Sequence, residues 1–215
     1  MKYYSLTSTE DLDIIGEYPQ VSTTNDSLFG SPFSTIKVNY GDIPDEIPFL
    51  ELEFEENAKI TDLLGTYNPY FGLIIDEKLK DIFSNTNLPN HRFYPVNVFF
   101  KNIPLPYYWF NFYDNIFPYL DMENSKFSVE ENRQKLEYKF KSENFFKEKN
   151  IECIEDFNKT LRIEKIYLLD SFPKYDLFEF ENFVLISEKL LNTFKENNIT
   201  GYEAKRYEIL QFDNV

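Results

Sequence analysis

The chain has 215 residues, 37 acidic and 22 basic, for a net charge of −15, and it carries 23 Phe and 16 Tyr against six Gly. So many aromatics exclude intrinsic disorder, which goes with few of them. The acidic excess excludes a phosphate-neutralising nucleic-acid surface and suits a basic protein partner or a solvated exterior.

The length fits a single compact domain over residues 1–215 with a substantial core. Cys153 is the only cysteine, so an intramolecular disulfide is excluded and a reducing cytoplasm is expected. The opening MKYYSLTSTE has no apolar signal core, and no apolar run approaches the roughly 20 residues that span a bilayer. These features predict a cytoplasmic protein with no membrane partner.

In chain order, Lys2–Leu6 reads as a first strand, Thr7–Asp11 as a turn, and Ser22–Ser27 as a surface loop after Pro19. Phe33–Tyr40 alternates with Ile36 and Val38 on one face, which predicts a strand, and Pro44 and Pro48 then bracket a rigid connector. Phe49–Glu56, FLELEFEE, is the cleanest strand pattern: Leu50, Leu52 and Phe54 point one way, and Glu51, Glu53 and Glu55 the other, with Glu56 beside them. Three carboxylates on one strand face repel one another, so they call for solvent, a basic partner or a metal. Thr61–Leu64 reads as a short turn or helix.

Pro104–Leu120, PLPYYWFNFYDNIFPYL, is the densest aromatic run. As a strand it sends Tyr108, Phe110 and Phe112 to one face and Tyr107, Trp109, Asn111 and Tyr113 to the other. It is either a central strand buried on both faces or a strand whose exposed Tyr and Trp anchor a partner, which makes Tyr107 and Trp109 candidate contacts. In the charged stretch Ser128–Lys149 a helix is expected around Val129–Tyr138. Strands are expected at Ile163–Leu169 and at Leu177–Phe183, the latter with Glu179 and Glu181 on a second carboxylate face.

Two segments repeat. Sliding Leu73–Leu88 by 111 positions onto Val184–Ile199 matches Ile75 with Ile186, Glu77 with Glu188, Lys78 with Lys189, Leu79 with Leu190, Phe83 with Phe194 and Asn87 with Asn198. Each copy has a short apolar strand and an N-capping residue, Asp76 or Ser187, with a glutamate after it at the positive end of the helix dipole. Leu79, Ile82 and Phe83, and then Leu190, Leu191 and Phe194, share a helical face. Asn87 and Pro89, or Asn198 and Gly201, stop the helix, and a second strand follows at Arg92–Phe100 or Glu203–Phe212. The expected fold is α+β: a largely antiparallel sheet with few short helices, built on two related strand–helix–strand units by internal duplication. The pseudo-repeat units span about 49–127 and 160–215.

Catalytic motifs are missing. With one His and one Cys, His91 and Cys153, the usual zinc sites cannot be assembled. The chain contains no Gly-x-Ser-x-Gly turn and no phosphate-cradling glycine loop. His91, following Pro89-Asn90, reads as structural. No catalytic residue, metal or cofactor is assigned. A hydrolase working with paired carboxylates stays open in principle, but 37 acidic residues single out no pair.

Several pieces, in order from one end of the chain to the other, carry a resemblance: MKYYSL, Thr61-Asp62, GLIIDEKLKD (Gly72–Asp81), HRFYPV (His91–Val96), YYWFNF (Tyr107–Phe112), LDMENSKF (Leu120–Phe127), LISEKL (Leu185–Leu190) and ITGYE (Ile199–Glu203). Together they resemble the bacterial immunity-protein family known as immunity protein 11, whose members guard producing cells against polymorphic toxins. The resemblance implies a non-enzymatic protein that binds a cognate toxin and occludes it stoichiometrically; it carries over no catalytic residues. The toxin contacts expected from the residues themselves are Glu51, Glu53, Glu55, Glu56, Tyr107 and Trp109, facing a basic toxin surface. The alternative is an acidic binding module or regulatory subunit with a different basic partner.

Overall fold

The computed structural model describes residues 1–24, 34–46, 48–132 and 134–212. Among them are 14 strands and four helices, a mixed α+β fold with largely antiparallel pairing. In chain order these are β1 (Tyr3–Ser8), α1 (Leu12–Ile15), β2 (Val21–Thr23), β3 (Glu51–Phe54), β4 (Leu63–Leu64), β5 (Leu73–Asp76), α2 (Glu77–Ser84), β6 (Asn90–Phe100) and β7 (Ile103–Tyr113). Then follow β8 (Lys126–Glu131), β9 (Gln134–Tyr138), α3 (Glu143–Glu155), β10 (Lys159–Leu168), β11 (Leu177–Phe180), β12 (Phe183–Ser187), α4 (Glu188–Glu196), β13 (Tyr202–Arg206) and β14 (Leu210–Phe212). The chain divides into two compact units: Tyr4–Asp114 with Tyr175–Lys205, and Met1–Tyr3 with Asn115–Lys174 and Arg206–Val215.

The larger unit holds a six-stranded sheet, order β2-β3-β6-β7-β5-β4, and a four-stranded sheet, order β11-β12-β1-β13. Two hairpins set the registers. Lys101 and Asn102, both at positive φ, link Phe100 to its partner Ile103, and Glu181 and Asn182 do the same between Phe180 and Phe183. Two consecutive positive-φ residues make the tight turn whose twist matches that of the strands.

β7 lies between β6 and β5, and each of its faces enters a different core. Phe110 and Phe112 join Leu79, Phe83, Leu190, Leu191 and Phe194 of α2 and α4, while Tyr107 and Trp109 join Leu52, Tyr94 and Val98. The helical faces expected from the 3.6-residue spacing are therefore the buried ones. Leu50, just before β3, and Leu52 and Phe54 within it are likewise buried.

The smaller unit holds the sheet β14-β10-β8-β9. Phe146 of α3 meets Phe127 and Phe140 at ring-centroid distances of 5.7 and 5.1 Å. The expected helix around Val129–Tyr138 is instead the β8–β9 hairpin. Asn132 takes φ 49° in its turn, and Phe127, Val129, Leu136 and Tyr138 alternate as cross-strand partners, Phe127 with Tyr138 and Val129 with Leu136. A period of two was present under the charges, and tertiary pairing selected it over helix propensity. The helix of this region starts later, where the Ser142 hydroxyl accepts from the Phe145 N–H.

Three further expectations change. The strand expected at Phe33–Tyr40 is a 3-10 turn over Thr35–Lys37, closed by Lys37 N–H donating to the Ser34 carbonyl; Phe33 itself, like residues 25–27 of the expected loop, lies outside the described residues. Thr61–Leu64 contains strand β4 rather than a helix. The strand expected over Glu203–Phe212 is two, β13 and β14, in different sheets.

Candidate functional site

The carboxylates of β3 sit where the alternation puts them, opposite Leu52 and Phe54. Glu53 and Glu56 are exposed, while Glu51 and Glu55 are half-buried. The Glu51 carboxylate accepts from the Thr24 hydroxyl at 2.8 Å. None of the four forms an ion pair among the described residues. Tyr107 and Trp109, the two aromatic candidates, are 3 % and 0 % exposed. Trp109 donates its indole N–H to the Phe71 carbonyl at 2.9 Å, and Tyr107 its hydroxyl to the Thr61 carbonyl at 2.6 Å. Both are core residues with satisfied polar ends, so neither serves as a surface anchor. The strand is buried on both faces because it is interior to a sheet covered on both sides.

The structure builds a polar arrangement that the sequence reading did not single out. Asp62, just before β4, accepts from the Thr200 N–H and hydroxyl, both at 2.6 Å, and lies 3.3 Å from the Lys78 ammonium. Asp176, just before β11, accepts from the Asn87 N–H at 3.2 Å, the Lys189 ammonium at 2.9 Å and the Ser187 hydroxyl at 2.7 Å. Each aspartate thus holds the lysine of the helix that follows it and the chain leaving the other helix. The ties are crossed. Their carbonyls match too: Asp62 accepts from the Asp76 N–H and Asp176 from the Ser187 N–H, at 2.9 and 2.8 Å. Gly201, at φ 83°, lets the chain pass beside Thr61 and Leu63, where a Cβ would strike the Leu63 carbonyl oxygen.

The two N-caps differ in one respect. Ser187 accepts from the Leu190 N–H and donates its own proton to Asp176. Asp76 accepts from the Leu79 N–H at 2.9 Å, and to hydrogen-bond with Asp62 it must carry a proton. Burial, reinforced by the Asp62 charge, pushes the Asp76 carboxyl up to about 6, against the opposing pull of the Leu79 N–H and Lys78. Burial also pushes Asp62 upward, but the Thr200 hydrogen bonds and Lys78 outweigh it, so Asp62 titrates below its ordinary value. Tyr107, whose hydroxyl is pushed up by burial and by both carboxylates, also faces the pair.

The raised Asp76 contributes stability that is complete below its unfolded value of 3.8 and is lost as pH rises through about 6. Asp62 contributes in the opposite sense, with stability present above its unfolded value of 3.8 and lost as pH falls below it, so the pair's combined contribution is greatest near that value and declines on either side. Asp76→Ser, which copies Ser187, is expected to raise stability by about 1 kcal/mol near pH 8, with the gain shrinking towards about pH 5. Urea denaturation across that range checks this; an equal shift at every pH would contradict a shared proton.

A second acidic grouping lies at the end of β11. The Tyr40 ring stands edge-on to Phe71 and Tyr113, with centroids 5.8 and 5.3 Å away, and its hydroxyl, pushed up mainly by burial, hydrogen-bonds to Glu179. Burial pushes the carboxyls of Glu179 and Glu181 upward as well. Neither has a cation at ion-pair distance among the described residues, so this edge favours an incoming cation electrostatically. His91, read as structural, has its Nδ1 2.8 Å from the Pro89 carbonyl.

Among the described residues no helix is long and apolar enough to cross a membrane. Comparison of the chain with protein-family models finds no match, and comparison with curated proteins finds none either.

Proposed function

We propose that this is an immunity protein that binds a cognate bacterial toxin domain in the cytoplasm and neutralises it by stoichiometric occlusion. The observation that carries the reading is the charge: a net −15, with exposed Glu53 and Glu56 and half-buried Glu55 on and beside β3, none of them in an ion pair among the described residues. Such a surface attracts a basic protein over long range and speeds its association. The immunity-family resemblance supports the same reading. Co-expression with the product of the neighbouring reading frame tests it: restored growth and equimolar co-purification are expected, and continued toxicity beside a folded, abundant protein would overturn it.

Reversing Glu51 and Glu53 to Lys is expected to slow association by on the order of threefold to tenfold at low salt and to leave dissociation nearly unchanged, because rim charges act on encounter. Surface-resonance kinetics check this. An acidic binding module with another basic partner is the second reading, since the charge pattern serves any cationic protein; a complex with an unrelated basic protein and none with the neighbouring product would favour it. The Asp62–Asp76 pair is weak support for a carboxylate hydrolase, because its oxygens are engaged by Thr200, Lys78 and the Leu79 N–H.

We also propose that the two strand–helix–strand units arose by duplication. Three features support this beyond the 111-residue offset. The strand orders β4-β5-β7-β6 and β11-β12-β1-β13 place one strand between the two strands of each unit. The registers Leu63 with Ile75 and Leu177 with Ile186 match, both antiparallel. The Asp62 and Asp176 ties are reciprocal.

A further inference from the structure

Three adjoining segments of the larger unit leave large apolar side chains exposed. Leu12 and Ile14 on α1, Ile60, and Tyr67 and Tyr70 on the β4–β5 loop are each between 42 and 83 % exposed. The segments are tied together. The Ile15 carbonyl accepts from the Lys59 N–H at 2.7 Å, the Asp13 carbonyl accepts from the Lys59 ammonium at 2.7 Å, and the Tyr18 ring stands edge-on to Tyr67 at 5.8 Å. α1 buries only Ile15, so it is a single turn held to the body by one side chain and its backbone, presenting the rest outward.

The same segments are acidic. Residues 10–18 carry Glu10, Asp11, Asp13 and Glu17 and no basic residue, and Glu55 and Glu56 lead into Lys59. That lysine is occupied by the Asp13 carbonyl, and none of the six carboxylates forms an ion pair among the described residues. Glu17 is held instead by the Asn57 N–H at 3.1 Å, which fixes the carboxylate at the patch border. Exposed apolar side chains on segments whose carboxylates form no ion pair among the described residues have the composition of a docking surface for a protein that is cationic and apolar at once. Tyr67 and Tyr70 add ring faces on which a guanidinium stacks.

We infer that this surface is the principal docking site for a basic protein partner, one that presents arginine or lysine around an apolar side chain. This rests on the proposed inhibitor function in naming a toxin as that partner, and it assigns the anchoring role to Tyr67, Leu12 and Ile14, leaving Glu51 and Glu53 as peripheral charges. Anchors act on residence time and peripheral charges on encounter.

The full chain and its variants Tyr67→Ala, Leu12→Ser with Ile14→Ser, and Glu53→Lys are compared for dissociation from the neighbouring-gene toxin domain, with circular dichroism as the fold check. The first two are expected to dissociate about 30-fold faster, and Glu53→Lys at an unchanged rate. Wild-type binding that both patch variants leave unaltered overturns the docking site while the inhibitor reading stands. A second probe, a peptide alternating arginine and leucine, separates the opposite failure. Amide exchange of the full chain with this peptide is expected to slow across residues 10–18 and 57–70, and the effect is lost in Asp13→Lys. If that protection appears although the toxin domain does not bind, the inhibitor reading falls and the docking surface remains. Protection spread over other acidic faces, or none at all, overturns it.

Discussion

Phe83→Ala or Phe194→Ala is expected to lower the unfolding free energy by about 3–5 kcal/mol, a large part of what a domain of this size has. Both side chains are wholly buried, and their rings lie 5.9 Å apart where α2 and α4 meet; Phe83 also packs on Phe110 of β7 at 4.8 Å. Truncation removes the transfer free energy of the ring and leaves a cavity bounded by sheet and helix backbone, which relax little. Because each ring belongs to the other's wall, the double variant is expected to cost less than the sum of the singles. Chemical denaturation decides; a loss below about 1 kcal/mol in either single variant would mean that the two helices do not share this core.

Asp176→Ala is expected to cost about 2–3 kcal/mol, and Asp62→Ala less near neutral pH. Asp176 is 2 % exposed, and its removal orphans the buried Ser187 hydroxyl and the Asn87 N–H, whereas Lys189 is largely exposed and returns to water. Asp62 makes the equivalent bonds to Thr200, but removing it also relieves the repulsion that raises Asp76. The difference between the two variants should therefore shrink as pH falls towards about 5 and Asp76 gains its proton. Paired denaturation curves at two pH values test this. An Asp62→Ala loss equal to that of Asp176→Ala at both would show that the Asp76 charge does not matter.

What could be read from the sequence follows from how local each signal is. The caps at Asp76 and Ser187 and the faces of α2 and α4 depend on residues within a turn or two, and they were legible, as was the alternation of β3. The β8–β9 hairpin was hidden because Glu130, Glu131 and Lys135 gave its strands the composition of a helix, while the deciding pairs, Phe127 with Tyr138 and Val129 with Leu136, act across a turn. The position of Trp109 depended on strand order, a long-range property, so composition alone left it between core and anchor. Asp62, quoted only within the family resemblance, and Asp176 were given no structural role for the same reason: each meets its main partner far along the chain, Thr200 at 138 positions and Asn87 at 89. The docking patch joins three separated segments, so its apolar residues share no local pattern in the sequence.

The proposed function requires an acidic surface that captures a basic toxin one to one. The most direct measurement is the rate of association with the purified toxin domain as salt is raised, together with the binding stoichiometry. Screening over a Debye length of about 10 Å at 0.1 M salt should lower the association rate steeply while dissociation stays nearly constant, at a ratio of one to one. A salt-independent association rate, or a toxin that stays fully active with the protein in excess, would contradict the account.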